Sequence, residues 1–356
     1  MNYKQPDITY FCSPKDWDKN SGKEILQYAV GGLLYMPASN QKIAQKIITG
    51  QYSFVKSMVL DLEDSLGDEL VKFGQQNIKS ILRQLGDAIA FEHITLSQIP
   101  MIFIRVRRPE QIKEAYDLLG QDIKLITGFN IPKFDKSTCR AYVSAFTTVM
   151  EKVRQEYGTE LYMMPIIESK NAMYRQLRMD NLLAINEAIK PIVNNVLNIR
   201  VGGADFCSIF GVRRHIDETI YQIGPVGDCL NDILNMFGRS FVVSAPVWEY
   251  FGQNPEDQWA KGLAQEIHAD MLNGFLGKTC IHPSQLPFVQ KALIVRKTDY
   301  LDALSILGMN ANTTGVKKSE GGNRMNEVKT HSHWAQKIIG LANVYGVIDA
   351  EVGEEC

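Results

Sequence analysis

The sequence alternates short apolar runs with longer amphipathic stretches, and this alternation restricts the possible folds more than any other feature of the chain. Several runs are apolar at successive positions, which is typical of parallel strands that helices cover. Strands that alternate with helices form parallel sheets through right-handed crossovers. Eight such units favour a closed barrel over an open sheet, so we predict an α/β fold of the (β/α)8 TIM barrel type. The predicted strands are Gly32–Pro37, Ser57–Leu62, Met101–Val106, Leu125–Ile131, Leu161–Ile167, one within Ile199–Ile209, Ser240–Ala245 and Thr279–Ile281.

The chain is longer than a barrel needs. One TIM barrel commonly takes about 250 residues, and this chain has 356. We therefore predict an N-terminal extension (residues 1–29), a catalytic barrel domain (30–290) and a C-terminal helical extension (291–356). In the last part, the pattern predicts a long helix over Leu286–Leu307, a polar and Gly-rich loop over Asn310–Asn326, and a final helix over Glu327–Tyr345.

Charge and composition exclude several classes of function. The formal net charge is −2 and the charges are interspersed, so no basic surface for nucleic acid is expected. No stretch of about 18 apolar residues is present, and the N-terminus has no apolar signal core, so we expect neither a membrane span nor secretion. The six cysteines form no CxxC pair, which disfavours a zinc ribbon and is typical of a reducing, cytoplasmic environment.

The chemistry of a TIM barrel lies at the carboxyl ends of its strands, so polar residues there are the candidates for a site. Glu168 and Asp205 each follow an apolar run, on neighbouring predicted strands. Two such carboxylates are suited to hold Mg2+, which prefers oxygen ligands and keeps waters that a substrate can replace. The alternative is that each carboxylate caps the helix that follows it.

Arg105 is a charged residue inside an apolar run, and an unpaired buried guanidinium is costly. One interpretation is a structural ion pair with the acids of the DLED run, which are Asp61, Glu63 and Asp64. The other is a fork that binds a substrate carboxylate or enolate oxygen, since guanidinium matches carboxylate geometry. We favour the second interpretation.

The DLED run also permits two interpretations. Its acids bind metal through waters, or they pair with Arg105 and Lys133 and keep the site rigid, and we favour the pairing. In either case we expect Lys133 and the three acids to line the substrate site. His282 is either a general base or, as is more common beside a proline in a tight turn, a structural hydrogen-bonding residue.

Seven motifs in series resemble one known family. They are LLYMPAS, VLDLEDS, IRVRR, FNIPK, PIIES, GGADF and GKTCIHPSQ, and together they cover about residues 30 to 290 in the family's order. The chain resembles the citrate lyase beta subunit, malyl-CoA lyase and the HpcH–HpaI aldolases, as a divergent member. The acyl-CoA members carry a C-terminal motif that begins with an aspartate. The corresponding stretch here, Gly322–Glu327 (GNRMNE), has none in that place.

The resemblance implies a (β/α)8 barrel, a homo-oligomer (trimer or hexamer), and a C-terminal segment that packs on a neighbouring subunit. It also implies Mg2+, or alternatively Mn2+, held by Glu168 and Asp205, with Arg105 binding the substrate. The expected reaction is cleavage or formation of a carbon–carbon bond in a small oxo- or hydroxy-carboxylate or its CoA thioester. The metal and Arg105 would stabilise the enolate.

Two other functions are compatible with the sequence. In the first, the chain is a non-catalytic metabolite-binding or scaffold subunit of a biosynthetic complex, and its reaction was lost with the C-terminal aspartate. In the second, it is an enolate enzyme that acts on phosphoenolpyruvate. Retention of Glu168, Asp205 and Arg105 favours an enzyme over a scaffold. A phosphate substrate requires more basic groups at the strand ends than the sequence places there.

Overall fold

The structure is a computed structural model that describes residues 8–309, 315–319 and 325–349. One compact unit contains Asp18–Val289, and a second contains the described residues before Asp18 together with those after Val289. The helix Lys23–Ala29 therefore groups with the barrel, whereas the sequence analysis assigned it to a separate extension of residues 1–29.

The regular elements are numbered along the described part of the chain. The strands are β1 (Tyr10–Cys12), β2 (Gly32–Pro37), β3 (Ser57–Asp61), β4 (Met101–Arg105), β5 (Gly128–Ile131), β6 (Tyr162–Ile167), β7 (Ile199–Val201), β8 (Val243–Ser244), β9 (Lys278–Cys280), β10 (Val295–Arg296), β11 (Val316–Lys318), β12 (Met325–Glu327) and β13 (Val347–Ile348).

The helices run between these strands. They are α1 (Lys23–Ala29), α2 (Ile43–Ile48), α3 (Val71–Ala90), α4 (Glu110–Leu119), α5 (Cys139–Tyr157), α6 (Lys170–Met173), α7 (Arg175–Ile189), α8 (Gly203–Ile209), α9 (Gly224–Phe237), α10 (Gln258–Asn273), α11 (Leu286–Ala292), α12 (Lys297–Gly308) and α13 (Val328–Tyr345). Short 3-10 turns cover Asp68–Leu70, Leu96–Gln98, Gly120–Leu125, Lys190–Asn195, Ile220–Gln222 and Pro283–Gln285.

Strands β2 to β9 form the predicted barrel. Their order is β8-β7-β6-β5-β4-β3-β2-β9, and every pair of neighbours is parallel. A parallel bridge between Ala245 and Lys278 joins the two ends of this order and closes the sheet. All eight strands overlap the predicted runs, so the prediction of a TIM barrel is confirmed.

The helices cover the barrel because their apolar residues recur at helical spacing. Helix α3, for example, buries Ile78, Ile81, Leu82 and Leu85 on one face, which is the pattern of an amphipathic helix against a core. Strand residues such as Val59, Phe103 and Phe129 are fully buried. The apolar strands and the helix faces therefore form one continuous core, and polar residues stand out where they interrupt it.

One group of polar residues that interrupts the apolar core attaches α10 to the barrel. The outer ion cluster consists of Arg214, Glu266, Asp270 and Lys278, all buried. Lys278 on β9 contacts Oε1 of Glu266 and Oδ2 of Asp270, each at 2.8 Å, and Arg214 lies 3.2 Å from Glu266. Tyr221 donates to Asp270 at 2.8 Å. Two cations and two carboxylates thus pair within the layer between strand and helix.

The second unit corrects part of the sequence analysis. The stretch predicted as one helix, Leu286–Leu307, is divided by β10 into α11 and α12. The stretch predicted as a loop contains β11 and β12, which pair as an antiparallel hairpin. Residues 310–314 and 320–324, which include the start of the GNRMNE stretch, lie outside the described residues. The predicted final helix is present as α13, which packs on α12 through Ala303, Ile306 and Ala335.

No helix among the described residues is long and apolar enough to span a membrane.

Candidate active site

The barrel brings the predicted site residues to the carboxyl ends of neighbouring strands. Asp61 ends β3 and Arg105 ends β4, and the two are paired in register. Lys133 follows β5, Glu168 follows β6, and Asp205 lies in the first turn of α8, which follows β7. Residues separated by up to about 140 positions in the chain therefore share one end of the barrel, as the fold predicts.

Glu168 and Asp205 border the same small space above Gly202. A Cβ atom added to Gly202 would lie 2.6 Å from Oε2 of Glu168 and 3.0 Å from Oδ2 of Asp205. It would also lie 2.3 Å from Cβ of Glu168, which is closer than real Cβ atoms approach. Glycine is therefore required at this position, because any side chain would fill the space that the two carboxylates share.

The carboxylate of Glu168 is held in a defined orientation. Its Oε1 accepts a hydrogen bond from the backbone N–H of Lys133 at 2.7 Å. Lys133 adopts a left-handed backbone conformation with φ of 48°, which is uncommon for a residue other than glycine. This local geometry fixes Oε1, so Oε2 is the oxygen that is directed to the space above Gly202.

The negatively charged forms of Glu168 and Asp205 are both destabilised, so the pKa of each is raised. Burial, and then the charge of Asp205, raise the pKa of Glu168 to about 8. Burial, and then the charge of Asp64, raise the pKa of Asp205. A buried acid and a half-buried acid that repel each other are stabilised by a cation between them. The donor set fits a hard divalent ion such as Mg2+, whose usual protein site has one or two carboxylates and several waters.

No group of three or more His, Cys, Asp or Glu side chains in the described parts of the chain is arranged to hold a metal ion. A closed site of the zinc type, which commonly has four protein ligands, is therefore not built by those residues. Two carboxylates alone would leave positions around a bound ion for water or substrate.

Arg105 is engaged by the acids of the DLED run. Its Nε and Nη2 contact Oδ1 and Oδ2 of Asp61 at 2.5 and 2.7 Å, a bidentate pair. Its Nη1 lies 3.1 Å from Glu63 and 3.2 Å from Asp64. The ion pairs that the sequence analysis left open as one alternative are therefore present, and the planar fork of Arg105 is occupied by Asp61.

The remaining acids of the run pair as expected. Lys133 Nζ contacts Oε1 of Glu63 at 2.5 Å and lies 3.8 Å from Asp64. The mouth cluster, defined as Asp61, Glu63, Asp64, Arg105 and Lys133, is open on one side, because the Lys133 and Asp64 side chains are 58% and 55% exposed. Glu63, by contrast, is buried, and burial is the largest cause of its raised pKa.

Tyr35 and Asn130 support Arg105 and were not among the predicted site residues. The guanidinium lies over the ring of Tyr35 at 5.2 Å from the centroid, a cation–π distance. Asn130, which pairs with Arg105 in register, donates to the Tyr35 hydroxyl at 2.5 Å. Asn130 is fully buried within an apolar strand. A polar residue in an apolar run is the signal that identified Arg105, and it would have identified Asn130 as well.

His282 has a structural role in the fold. Its Nδ1 accepts from the backbone N–H of Ser284 at 3.2 Å and lies 2.8 Å from the Ser284 hydroxyl. Its ring stacks on Phe251, with centroids 4.7 Å apart. It also borders a cavity of about 200 Å3, which Lys46, Gln51, Tyr52, Phe54, Gln253 and Pro283 line as well. Glu168 and Asp205 do not line that cavity, so it is separate from the carboxylate pair.

Most of the chain, including the whole barrel, matches one family. The sequence model of the C–C bond lyases of the TIM-barrel fold matches residues 24–347. The chain belongs to this family of C–C bond lyases. Membership makes it a carbon–carbon lyase and confirms the expected relationship to citrate lyase-like enzymes.

Solved structures with a similar fold include three at low sequence identity. Protein CitE from Mycobacterium tuberculosis, in complex with magnesium, acetoacetate and coenzyme A, has a TM-score of 0.56 at 15% identity, covering 89% of this chain and 99% of that chain. Malate synthase from Haloferax volcanii, in a magnesium and glyoxylate complex, has a TM-score of 0.55 at 18% identity, covering 75% and 76%. RipC from Yersinia pestis has a TM-score of 0.50 at 15% identity, covering 75% and 95%. These similarities show the shared fold.

Among curated proteins, no match to this C–C bond lyase was found.

Proposed function

We propose that this C–C bond lyase depends on Mg2+ and acts on a small oxo- or hydroxy-carboxylate or its CoA thioester. Glu168 and Asp205 hold the ion, with Mn2+ as a substitute. Arg105 binds the substrate, and Asp61, Glu63, Asp64 and Lys133 organise the site around it. The observation that carries the proposal is the pair of carboxylate oxygens that face one space above Gly202.

The ion and the side chains of the site have different parts in the chemistry. A bound divalent ion polarises a carbonyl or carboxylate oxygen and stabilises the negative charge that develops there as the bond breaks. Arg105 provides a second fixed positive charge, because Asp61 holds its Nε and Nη2. The substrate carboxylate then binds at Nη1, where it replaces the half-exposed Asp64 and lies beside the buried Glu63, whose pKa is raised. Asp61 thus positions Arg105 and does not compete for the substrate.

The ligands of proteins with a similar fold support this substrate class. CitE from Mycobacterium tuberculosis was solved with magnesium, acetoacetate and coenzyme A, and malate synthase from Haloferax volcanii with magnesium and glyoxylate. Each of these organic acids has a carboxylate and a carbonyl oxygen. A site with an ion and an arginine side by side is suited to that combination of groups.

Metal binding tests the proposal most directly. Mn2+ titrated into the full-length protein and followed by electron paramagnetic resonance should show one bound ion. Glu168→Gln keeps the shape of the side chain and removes its charge, so we expect affinity to fall by at least about 100-fold, the upper end for a lost contact near a metal. The matched control is Asp64→Asn, which removes an acid from the same barrel end that is not a proposed ligand.

Two results would contradict the proposal. One is the absence of a bound Mn2+ ion in the wild type. The other is a Glu168→Gln variant that binds Mn2+ as well as the Asp64→Asn control does. A correctly folded variant, verified by circular dichroism, is expected, because the change removes a buried charge that repels Asp205.

We also propose that the chain forms a homo-oligomer, a trimer or a hexamer, on the basis of its family resemblance. Light scattering of the full chain after size-exclusion chromatography measures the assembled mass. A monomer at all protein concentrations would refute this part of the proposal without affecting the metal site.

A further inference from the structure

Arg200 on β7 is a buried arginine whose hydrogen-bond partners carry no charge. Its side chain is 1% exposed, yet its nearest partners are neutral. Nη2 donates to Oγ1 of Thr279 at 2.7 Å, Nη1 lies 3.5 Å from Oδ1 of Asn198, and Nε has no partner. Arg105, Arg178 and Arg214 each contact a carboxylate. Within the described ranges of the chain, no such ion pair is present for Arg200.

The side chain of Arg200 points into the barrel. Lys278 on β9 directs its Nζ outward to α10, where it contacts Glu266 and Asp270. Successive strand residues point to opposite faces of the sheet, so Thr279 points inward. Arg200 reaches Thr279 from β7 and therefore lies on the inner side as well. The interior of a TIM barrel is usually filled by branched apolar side chains. A charged side chain without a counterion is therefore unusual there.

Arg200 lies just beneath the proposed metal site. It pairs in register with Ile166, two residues before Glu168, and it precedes Gly202 by two residues on its own strand. Two residues along a strand correspond to about 6–7 Å. The backbone of Arg200 therefore lies about 6–7 Å along the strand from Gly202, which is about the length of a short organic acid.

Thr279 is the residue through which the charge of Arg200 can act on a ligand. It is half-buried, whereas Arg200 is enclosed. Because the Thr279 oxygen accepts from Arg200, its own O–H is free to donate to another group. A hydroxyl donor that is backed by a guanidinium favours an anion, since hydrogen bonds to charged groups are stronger than neutral ones.

We propose that Thr279 binds a second anionic group of the substrate, a carboxylate remote from the metal, and that Arg200 is its positioning residue. The inference rests on the proposed function, because it places the other end of the same substrate at Glu168 and Asp205. Arg200 orients the Thr279 oxygen and supplies the positive charge, and Thr279 touches the ligand. The site thereby selects four-carbon dicarboxylates over monocarboxylates of equal length.

A pair of ligands that differ only in the second carboxylate tests this inference. L-Malate and (S)-2-hydroxybutyrate share the carboxylate and hydroxyl that face the metal, and calorimetry with saturating Mg2+ measures both. We expect the wild type to bind malate at least about tenfold more tightly, the typical effect of one hydrogen bond to a charged group. Thr279→Val should abolish that preference and leave 2-hydroxybutyrate affinity unchanged. Arg200→Met should have the same effect, and Arg200→Lys should retain part of the preference.

The matched control is Ser244→Ala on β8. Ser244 is a buried hydroxyl that donates to the carbonyl of Leu276 at 2.9 Å, and it pairs in register with Arg200. Its removal should leave the ratio of the two affinities unchanged. A wild type without preference for malate would overturn the inference, and so would a Thr279→Val variant that keeps it. If Arg200→Met fails to fold, the Thr279→Val result alone decides.

The Mn2+ titration without organic acid separates the two proposals. A protein that binds Mn2+ but shows equal affinity for both acids retains the proposed function and loses the role of Thr279. A protein that binds no Mn2+ but prefers malate in a Thr279-dependent manner loses the metal site and retains the anion site.

Discussion

Two groups of charged residues in this barrel contain similar side chains, but they differ in the balance of positive and negative charge and in solvent exposure. The outer ion cluster has two cations and two carboxylates, and all four are buried. The mouth cluster has two cations and three carboxylates, and Lys133 and Asp64 are more than half exposed. With Glu168 and Asp205, five carboxylates face two cations at the mouth.

The difference in charge balance separates a structural cluster from a binding site. A neutral, enclosed cluster pairs its charges internally and attaches α10 to β9. An open cluster with excess negative charge attracts a cation, and, besides burial, the charges of Glu63 and Asp64 contribute to the raised pKa of Glu168 and Asp205. Arg200 presents the opposite case, a positive charge in excess, and this is why we assign an anion to its neighbourhood.

The largest expected effect comes from breaking the outer ion cluster. Lys278→Met leaves Glu266 and Asp270 buried with one cation fewer, so the free energy of unfolding should fall by about 3–5 kcal/mol. Lys133→Met at the mouth should lower it by at most about 1 kcal/mol, because exposed ion pairs contribute little. Urea unfolding measures both. Equal losses in the two variants would show that exposure does not separate the clusters.

A smaller effect is expected for Arg105→Lys. The sequence alone predicts little change in melting temperature, but the bidentate contact with Asp61 changes that expectation. Lysine keeps the charge and loses the planar fork, so we expect a loss of about 1–3 kcal/mol together with weaker binding of pyruvate-like acids. Arg108→Lys, at a half-exposed position, is the control. Unchanged stability alongside weak ligand binding would show that Arg105 acts on the substrate alone.

The smallest effect concerns acid pH. Burial raises the pKa of Asp61, but the hydrogen bonds and charge of Arg105 outweigh it, and the net pKa is lowered. A lowered pKa adds stability above the ordinary value of about 4 and loses it as pH falls through the folded-state value. The stability difference between wild type and Asp61→Asn should therefore narrow below about pH 4. A constant difference from pH 6 to pH 3 would contradict this assignment.

Much of the fold was predictable from the sequence because burial on both faces of a parallel strand leaves a continuous apolar run. Strands β2, β3, β4 and β6 follow this rule most closely, whereas β9 consists of Lys278, Thr279 and Cys280 and was located by its motif. The rule fails in the second unit, where β10 has two residues and β11 is fully exposed. Such short strands depend on pairing with a distant segment, as Val295 does with Val347, and pairing leaves no local pattern.

The candidate site residues were predictable where a charged residue follows or interrupts an apolar run. That rule identified Asp61, Arg105, Glu168 and Asp205. Applied to every strand, it would also have identified Arg200, which stands in the run IRV. It cannot predict which acid occupies the fork of Arg105, because that depends on the register between β3 and β4.

A substitution at Gly202 would disrupt the proposed metal site. A single methyl group there would meet Glu168 and Asp205 at once, whereas the strand and helix on either side have no need of glycine for their own geometry. A natural variant with alanine at this position would have to displace Glu168, the residue that we propose as a metal ligand.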